Sequence, residues 1–341
     1  MKPAAILPGR LPLGQPSRFR GACLLSFATM DEQTMPLGQP SRRQLFLSCA
    51  LPAVLAAQEQ QPTFKVDVKV VNLLATVRGP RGELIRDLGK DDFKVLENGH
   101  PREIRYFARE TDLPLTIGLL IDTSLSQAKI LGAERGASFR FIDRVLRERK
   151  DQIFVMQFDL GILVNQALTG SRRLLEEALS QVGMPTRREL EMQTGGGTLL
   201  YEAVLRASRD IMAAQSNRKA LIILSDGGEN GSAATRSEAI EAALRADTLL
   251  YSIFFPGSGP DGRRNLMALS QETGGSYIEV NKKRPIDEVF AMIQDELRGQ
   301  YSIGYVSGDP VRISTFRRIE VTTTRPRATV QARTRYWASN N

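Results

Sequence analysis

The stretch Leu115-Thr-Ile-Gly-Leu-Leu-Ile-Asp122, followed by Thr123-Ser-Leu-Ser126, decides the fold class of this chain. Its first part is mostly apolar, which is typical of a parallel strand buried on both faces. Its last part is polar and supplies one carboxylate and two serine hydroxyls. The stretch therefore predicts a central strand whose carboxyl end carries a functional loop.

Apolar runs and helical patterns alternate after this strand. Further strands are predicted at 152–159, 162–165, 219–226, 248–255 and 276–280, and helices at 128–149, 171–182, 200–211, 235–246, 263–273 and 285–298. On the first helix, Phe139, Ile142 and Leu146 share one side, which is expected to face the core. This alternation predicts an α/β fold with a doubly wound, mostly parallel sheet.

Short strand patterns without helices flank the α/β region on both sides. Before it, a hairpin is predicted with its turn at Asn98-Gly99 and its return strand at Ile104-Arg-Tyr-Phe107. Neither flanking piece has enough strands to bury a core alone, so we expect the two to pair into a small β-sandwich. The predicted boundaries are 1–57 for an N-terminal extension, 58–111 and 300–341 for the β-rich segments, and 112–299 for the inserted domain.

The N-terminal extension contains the layout of an export signal. Arg42-Arg43 precede an apolar run from Leu45 to Leu55, and small residues follow at Ala56 and Ala57. This resembles a twin-arginine signal, so we expect an exported protein, periplasmic or extracellular, with its mature chain starting near Ala57. The alternative interpretation is a short buried helix with a basic cap.

The signal lies late in the chain, after a repeat of Pro-Leu-Gly-Gln-Pro-Ser-Arg at 12–18 and 36–42. We expect either that translation starts at Met35, which would give a short basic region directly before the apolar run, or that residues 1–34 are a dispensable extension.

Composition excludes several classes of function. Among 341 residues there is one histidine, His100, and the two cysteines, Cys23 and Cys49, lie near the N-terminus. A zinc site or a histidine-dependent triad is therefore disfavoured, and His100 is predicted to be a turn residue. The net charge is +8, but residues 1–57 hold six of the 46 Lys and Arg and two of the 38 Asp and Glu, so the rest of the chain has a net charge of 40 − 36 = +4. So small a charge on a large body disfavours nucleic acid as a partner. The sequence has no apolar stretch of about 20 residues, so we expect no transmembrane span in the mature chain.

Polar oxygens are expected to converge at the carboxyl ends of the strands. Asp122, Ser124 and Ser126 follow the first central strand, Thr198 follows Gly195-Gly-Gly197, and Asp226 ends the strand at 219–226. Ligands bind at this edge of a doubly wound sheet, and hard oxygen donors of low total charge suit Mg²⁺ or Mn²⁺. The alternative is that these residues only cap helices and turns.

This arrangement over about 112–299 resembles the von Willebrand factor A domain and its metal-ion-dependent adhesion site. The resemblance implies that Ser124, Ser126 and Thr198 coordinate the metal ion, and that Asp122 and Asp226 bind it directly or through waters. It also implies that the open coordination position takes a carboxylate, from Asp or Glu, of a protein partner.

The flanking segments carry a closer resemblance. Lys-Asp-Asp-Phe-Lys-Val-Leu-Glu-Asn-Gly at 90–99 and Tyr-Ser-Ile-Gly-Tyr at 301–305 are similar to the acidobacterial family of von Willebrand A-related proteins.

Asp159 and one glycine-rich segment are weaker candidates for the site. Asp159 is predicted to form a turn rather than to support the metal site. The glycine-rich segment 257–262 lacks the Walker lysine and the dinucleotide-binding spacing, so it is predicted to be a surface loop.

The leading functional hypothesis is thus a binding module and not an enzyme. The alternative is a non-adhesive scaffold component of an envelope protein complex. A metal-dependent phosphohydrolase is disfavoured, because such an enzyme usually needs a second acid where this chain has Ser124, and a lysine or histidine near the metal. Nothing in the sequence indicates an oligomeric state.

Overall fold

The computed structural model describes residues 70–110, 112–186, 197–257, 259–308, 311 and 313–339. The chain from Lys65 to Asn341 forms one compact unit. The predicted export signal and the proposed start at Met35 lie outside the described residues. Within these residues, no helix has the length and apolar character needed to cross a membrane.

The described elements follow the predicted order. The first β-rich segment contains β1 (Val70–Arg78), β2 (Phe93–Glu97), β3 (His100–Arg102) and β4 (Ile104–Glu110). The α/β region contains β5 (Leu115–Asp122), α1 (Leu131–Val145), β6 (Gln152–Phe158), β7 (Ile162–Thr169), α2 (Arg172–Gln181), α3 (Leu200–Arg206), β8 (Arg218–Ser225), α4 (Arg236–Arg245), β9 (Thr248–Phe254), α5 (Gly259–Thr273), β10 (Tyr277–Glu279) and α6 (Ile286–Arg298). The last segment contains β11 (Gln300–Val306), β12 (Thr315–Thr323), β13 (Thr329–Gln331) and β14 (Arg335–Ala338).

The central sheet has the strand order β10-β9-β8-β5-β6-β7. All its neighbouring strands pair in parallel except β6 and β7, which are antiparallel. All eight residues of β5 are buried, as expected for a strand with helices on both faces. Helices α1, α2 and α6 pack on one face of the sheet, and α3, α4 and α5 pack on the other. The predicted doubly wound sheet is confirmed.

The two flanking segments contribute strands to both of the remaining sheets. One sheet has the order β13-β1-β11-β4 and the other β14-β12-β2-β3, so each mixes strands from before and after the α/β region. The sheets share one core, to which Leu73, Val95, Ile303 and Tyr336 contribute from four different strands. The predicted pairing of the flanking segments is confirmed. Strand β14 was not predicted.

The predicted hairpin is present, but its predicted return strand is wrong. Asn98 and Gly99 have φ of 51° and 82°, as a tight two-residue turn requires, and β2 pairs through them with β3. Ile104 begins β4, which instead pairs with β11 in the other sheet. The chain changes sheets after Arg102 because β4 finds its partner some 200 residues later, a pairing that local sequence does not encode. His100 is the first residue of β3 rather than a turn residue.

On α1, Ile142 and Leu146 are buried as predicted, and the half-buried Phe139 packs against the same core, which Phe141 also joins. Another helix prediction needs correction. The predicted helix over 200–211 is an α-helix only to Arg206, and a π turn over Ala207–Ile211 follows it. The apolar residues continue through this turn, but its backbone hydrogen bonds span five residues instead of four.

A buried ion pair joins the α/β region to the sandwich. Helix α6 leads into β11 through Gly299. Near its end, the fully buried Glu296 pairs with Arg78 of β1 and accepts a hydrogen bond of 2.6 Å from the Ser276 hydroxyl.

Candidate metal centre

The predicted metal-site residues lie in loops at the carboxyl ends of the central strands. Asp122 is the last residue of β5, and Asp226 directly follows β8. These strands are neighbours, with Ile121 paired to Leu224, and the direction of strand order reverses between them. In an open α/β sheet, ligands bind at this switch point.

Asp122 is fully buried, and both of its carboxylate oxygens are held in place. One oxygen accepts the Ser124 backbone N–H at 2.9 Å, and the other accepts the Ser225 hydroxyl at 2.5 Å. Burial raises the pKa of Asp122 to about 6, against the lowering effect of the hydrogen bonds from Ser124 and Ser225, and nearby Asp226 adds to the rise. The carboxylate is therefore oriented but insufficiently compensated when it is ionised.

The two serine hydroxyls of the loop face one another. The Oγ atoms of Ser124 and Ser126 lie 3.0 Å apart, and the Gln127 side-chain amide donates to Ser126 at 3.3 Å. A single 3₁₀ turn over Leu125–Gln127 brings the hydroxyls together. One tight turn thus gathers two neutral oxygen donors beside Asp122.

Asp226 lies where neighbouring loops approach closely. One carboxylate oxygen accepts the Gly228 N–H at 3.0 Å. A Cβ atom at Gly257 would lie 2.6 Å from the other oxygen, and one at Gly227, whose φ is 75°, would lie 2.2 Å from the Gly262 carbonyl oxygen. Glycines therefore keep open the space beside Asp226, and Gly257 borders the site. The prediction of a surface loop is wrong for residues 259–262, which begin helix α5.

Main-chain hydrogen bonds hold Thr198 at the same edge. Its N–H donates to the Asn230 side-chain carbonyl at 2.6 Å, and the next N–H, of Leu199, donates to the Asp159 carbonyl at 3.0 Å. Asp159 follows β6 and accepts the Thr123 hydroxyl at 2.6 Å. Asp159 therefore supports the Asp122 loop and also forms a turn, since it accepts the Gly161 N–H at 3.1 Å. Gly195 and Gly196 lie outside the described residues.

The capping alternative explains only part of this arrangement. Asp122 and Asp226 each accept the N–H of the residue two positions later, as turn-forming aspartates do. However, the Ser124 side chain makes no cap bond although Ser124 is the N-cap of the 3₁₀ turn. Turn formation therefore accounts for one oxygen of each aspartate, but it does not explain the pairing of the Ser124 and Ser126 hydroxyls beside Asp122.

The donor set fits a hard divalent cation. It consists of carboxylate and hydroxyl oxygens, which are the ligand type of Mg²⁺ and Mn²⁺. Among the described residues, no group of three or more His, Cys, Asp or Glu side chains is placed to hold a metal ion. This finding is compatible with a site built from two aspartates and hydroxyls. Coordination by Asp122, Ser124, Ser126, Thr198 and Asp226 stays a prediction.

Sequence reasoning missed one acid next to the centre. Glu134 is fully buried on α1, and neither of its carboxylate oxygens has a hydrogen-bond partner among the described residues. Burial, and then the charges of Asp122 and Asp226, raise the pKa of Glu134 to about 8. The available signal was its spacing, because Glu134 falls on the buried stripe of α1 with Leu131 and Ala137.

No family model matches the chain, and no curated protein matches it. Solved structures do resemble it. A von Willebrand factor type A protein from Catenulispora acidiphila is 14% identical, with a TM-score of 0.46, and the match covers 80% of this chain and 75% of that one. BatB, a conserved hypothetical protein from Bacteroides thetaiotaomicron, is 16% identical with a TM-score of 0.42, covering 55% of this chain and 97% of that one.

A third similar structure is proximal thread matrix protein 1 from the mussel byssus, with a zinc-occupied MIDAS motif. It is 14% identical with a TM-score of 0.43, and the match covers 60% of this chain and 50% of that one. The strand order of the central sheet and the two aspartate loops at its switch point agree with the arrangement that the resemblance to the von Willebrand factor A domain implies. The closer resemblance to the acidobacterial family stays a prediction.

Proposed function

We propose that this protein is an exported binding protein that uses a divalent metal ion to bind an acidic group of a protein partner. The ion, Mg²⁺ or Mn²⁺, would be held by Asp122, Ser124, Ser126, Thr198 and Asp226. The observation that carries the proposal is the gathering of these residues in loops at the switch point of the sheet, with the hydroxyls of Ser124 and Ser126 3.0 Å apart.

The donor set permits an acidic ligand. Its three hydroxyls are neutral, so only the two carboxylates offset the charge of a divalent ion. Mg²⁺ keeps several water ligands, and an anionic group of a partner can replace one of them. Ser126 is exposed and Ser124 is half-buried, so this side of the loop is accessible to a partner.

Binding is favoured over catalysis by the chemistry of the loops. The position two residues after Asp122 is a serine and not a second acid. The chain's single histidine, His100, lies on β3 in an antiparallel sheet and not in a loop of the central sheet. These features support a site that holds an ion and exchanges its ligands.

Export is proposed from the sequence alone. Arg42-Arg43, the apolar run that follows and Ala56-Ala57 support a cleaved signal. N-terminal sequencing of protein recovered from outside the cytoplasm should give a chain that begins near Ala57. An uncleaved chain retained in the cytoplasm would contradict export.

Metal binding is tested with the metal alone. Mn²⁺ titrated into the metal-stripped full chain should bind one site, followed by calorimetry or by electron paramagnetic resonance. Asp122→Asn should abolish binding, and Asp143→Asn, an exposed change on α1, should not. Wild-type protein that binds no Mn²⁺ would contradict the proposal.

The acidic ligand is tested with short peptides. A peptide containing glutamate should displace water from the bound Mn²⁺ and lower the water-proton relaxation it causes, whereas the matching glutamine peptide should not. Equal effects of the two peptides would contradict carboxylate recognition.

A further inference from the structure

Glu134 differs from the other buried acids of the described residues. Glu97 accepts hydrogen bonds from Arg317 and the Tyr336 hydroxyl, and Glu296 is held by Arg78 and Ser276. The buried aspartates each accept at least one hydrogen bond as well; they are Asp122, Asp151, Asp159 and Asp226. A buried acid without a donor costs free energy, so its presence requires an explanation.

Two neighbouring polar atoms are also unmatched. The Gln127 side-chain carbonyl and the Ser138 hydroxyl are buried and have no hydrogen-bond partner among the described residues. Ser138 lies one helical turn after Glu134 on the same side of α1, and Gln127 directly follows Ser126 of the ligand loop. Glu134 and Ser138 are thus unmatched buried groups one turn apart, and such groups are the partners that a buried water requires.

Glu134 lies in the first turn of α1, the helix that follows the ligand loop. The negative charges of Asp122 and Asp226 act on its carboxylate and raise its pKa. The three acids do not form a group that could hold an ion directly. Glu134 is therefore placed behind the predicted ligands rather than among them.

We propose that Glu134 is a positioning residue of the metal centre, whose carboxylate accepts a hydrogen bond from a water ligand of the bound divalent cation. This inference rests on the proposed function. Groups that orient the ligands of a metal are a regular part of metal sites, and their loss weakens metal affinity by about 10- to 100-fold. In this account the cation compensates the buried acid, and the acid fixes the position of the water.

The test compares Mn²⁺ affinity with metal-free stability in the full chain. Glu134→Gln retains the shape of the side chain but removes its charge. We expect it to bind Mn²⁺ about 10- to 100-fold more weakly than wild type, while its melting temperature in EDTA is not lower. Glu134→Asp keeps the charge, so its affinity for Mn²⁺ should lie between those of Glu134→Gln and wild type. Asp143→Asn removes the same charge from an exposed position of α1 and should leave the affinity unchanged.

The possible outcomes separate the two proposals. If wild type and Glu134→Gln bind Mn²⁺ equally, the inference is wrong and the metal site stands. If Glu134→Gln lowers stability in EDTA and leaves affinity unchanged, Glu134 is only structural, which also overturns the inference. If wild type binds no Mn²⁺, the proposed function fails and the inference fails with it.

Discussion

Two buried aspartates at opposite ends of the central sheet have contrasting surroundings. Asp151, just before β6, accepts hydrogen bonds from the Leu115 N–H at 2.9 Å, from Arg147 at 2.9 Å and from Arg298 at 2.7 Å. Asp122, at the carboxyl end of β5, has an N–H and a hydroxyl as donors and no arginine or lysine among its hydrogen-bond partners in the described residues.

The pKa values follow these surroundings. Burial acts to raise the pKa of Asp151, but hydrogen bonds from Arg147, Leu115 and Arg298 outweigh it and lower the pKa to about 2. Burial dominates at Asp122 and raises its pKa to about 6. Acids with raised pKa in a binding cleft are typical of functional sites, whereas fully paired acids are typical of structural ones. The amino end of the sheet therefore carries a fully paired acid, whereas the carboxyl end carries one whose charge is incompletely compensated.

The largest expected effect is a loss of stability on replacing Asp151, at the amino end of the sheet. Asp151→Ala removes the partner shared by Arg147 and Arg298, and removal of one partner of a buried ion pair costs about 3 to 5 kcal/mol. Urea unfolding should show this loss equally with and without Mg²⁺. A loss below about 1 kcal/mol, typical of a surface pair, would mean that the pairing contributes little.

In the metal-free protein, Asp122 and Asp151 should contribute to stability with opposite dependence on pH. Because the folded-state pKa of Asp122 is raised, its contribution to stability is complete below about pH 3.8 and is lost as the pH rises through about 6. At about 1.4 kcal/mol per pKa unit, this loss reaches about 3 kcal/mol. Asp151 has a lowered pKa, so its contribution is present above about pH 3.8 and is lost as the pH falls through about 2.

The measurement is the free energy of unfolding in metal-stripped buffers from pH 4 to 8. Stability of wild type relative to Asp122→Asn should fall over this range. A constant difference between the two proteins would contradict the raised pKa of Asp122.

The smallest expected effect is at Leu125, between the two ligand serines. Its side chain is 61% exposed, and replacing an exposed side chain usually changes stability by less than about 0.5 kcal/mol. Leu125→Ala should leave both stability and Mn²⁺ affinity unchanged, measured by thermal unfolding and calorimetry. A lower Mn²⁺ affinity would show that Leu125 helps to shape the ligand loop.

Local sequence predicted the parts of the molecule that local interactions determine. The buried run from Leu115 to Asp122 identified the central strand, and the alternation after it gave the doubly wound sheet. The polar residues at the strand ends gave the candidate site, because the carboxyl ends of parallel strands meet at one edge.

The remaining features depend on contacts between distant segments. The partner of β4 is β11, and the donors to Glu97 come from strands more than 200 residues later. Gly257 and Asp226 are also distant in sequence, and their close approach depends on contact between two loops. Glu134 is a different case, because its place on the apolar stripe of α1 was visible in the sequence.

The most direct test of the account is unfolding with EDTA and with Mg²⁺ for three proteins: wild type, Asp122→Asn and Asp151→Asn. A bound ion stabilises the native state by about 2.7 kcal/mol when its free concentration is a hundred times Kd. We expect this gain in wild type and in Asp151→Asn, which starts from a lower stability, and no gain in Asp122→Asn. A gain that persists in Asp122→Asn, or no gain in wild type, would contradict a metal centre at the carboxyl end of the sheet, and the second result would favour the scaffold alternative.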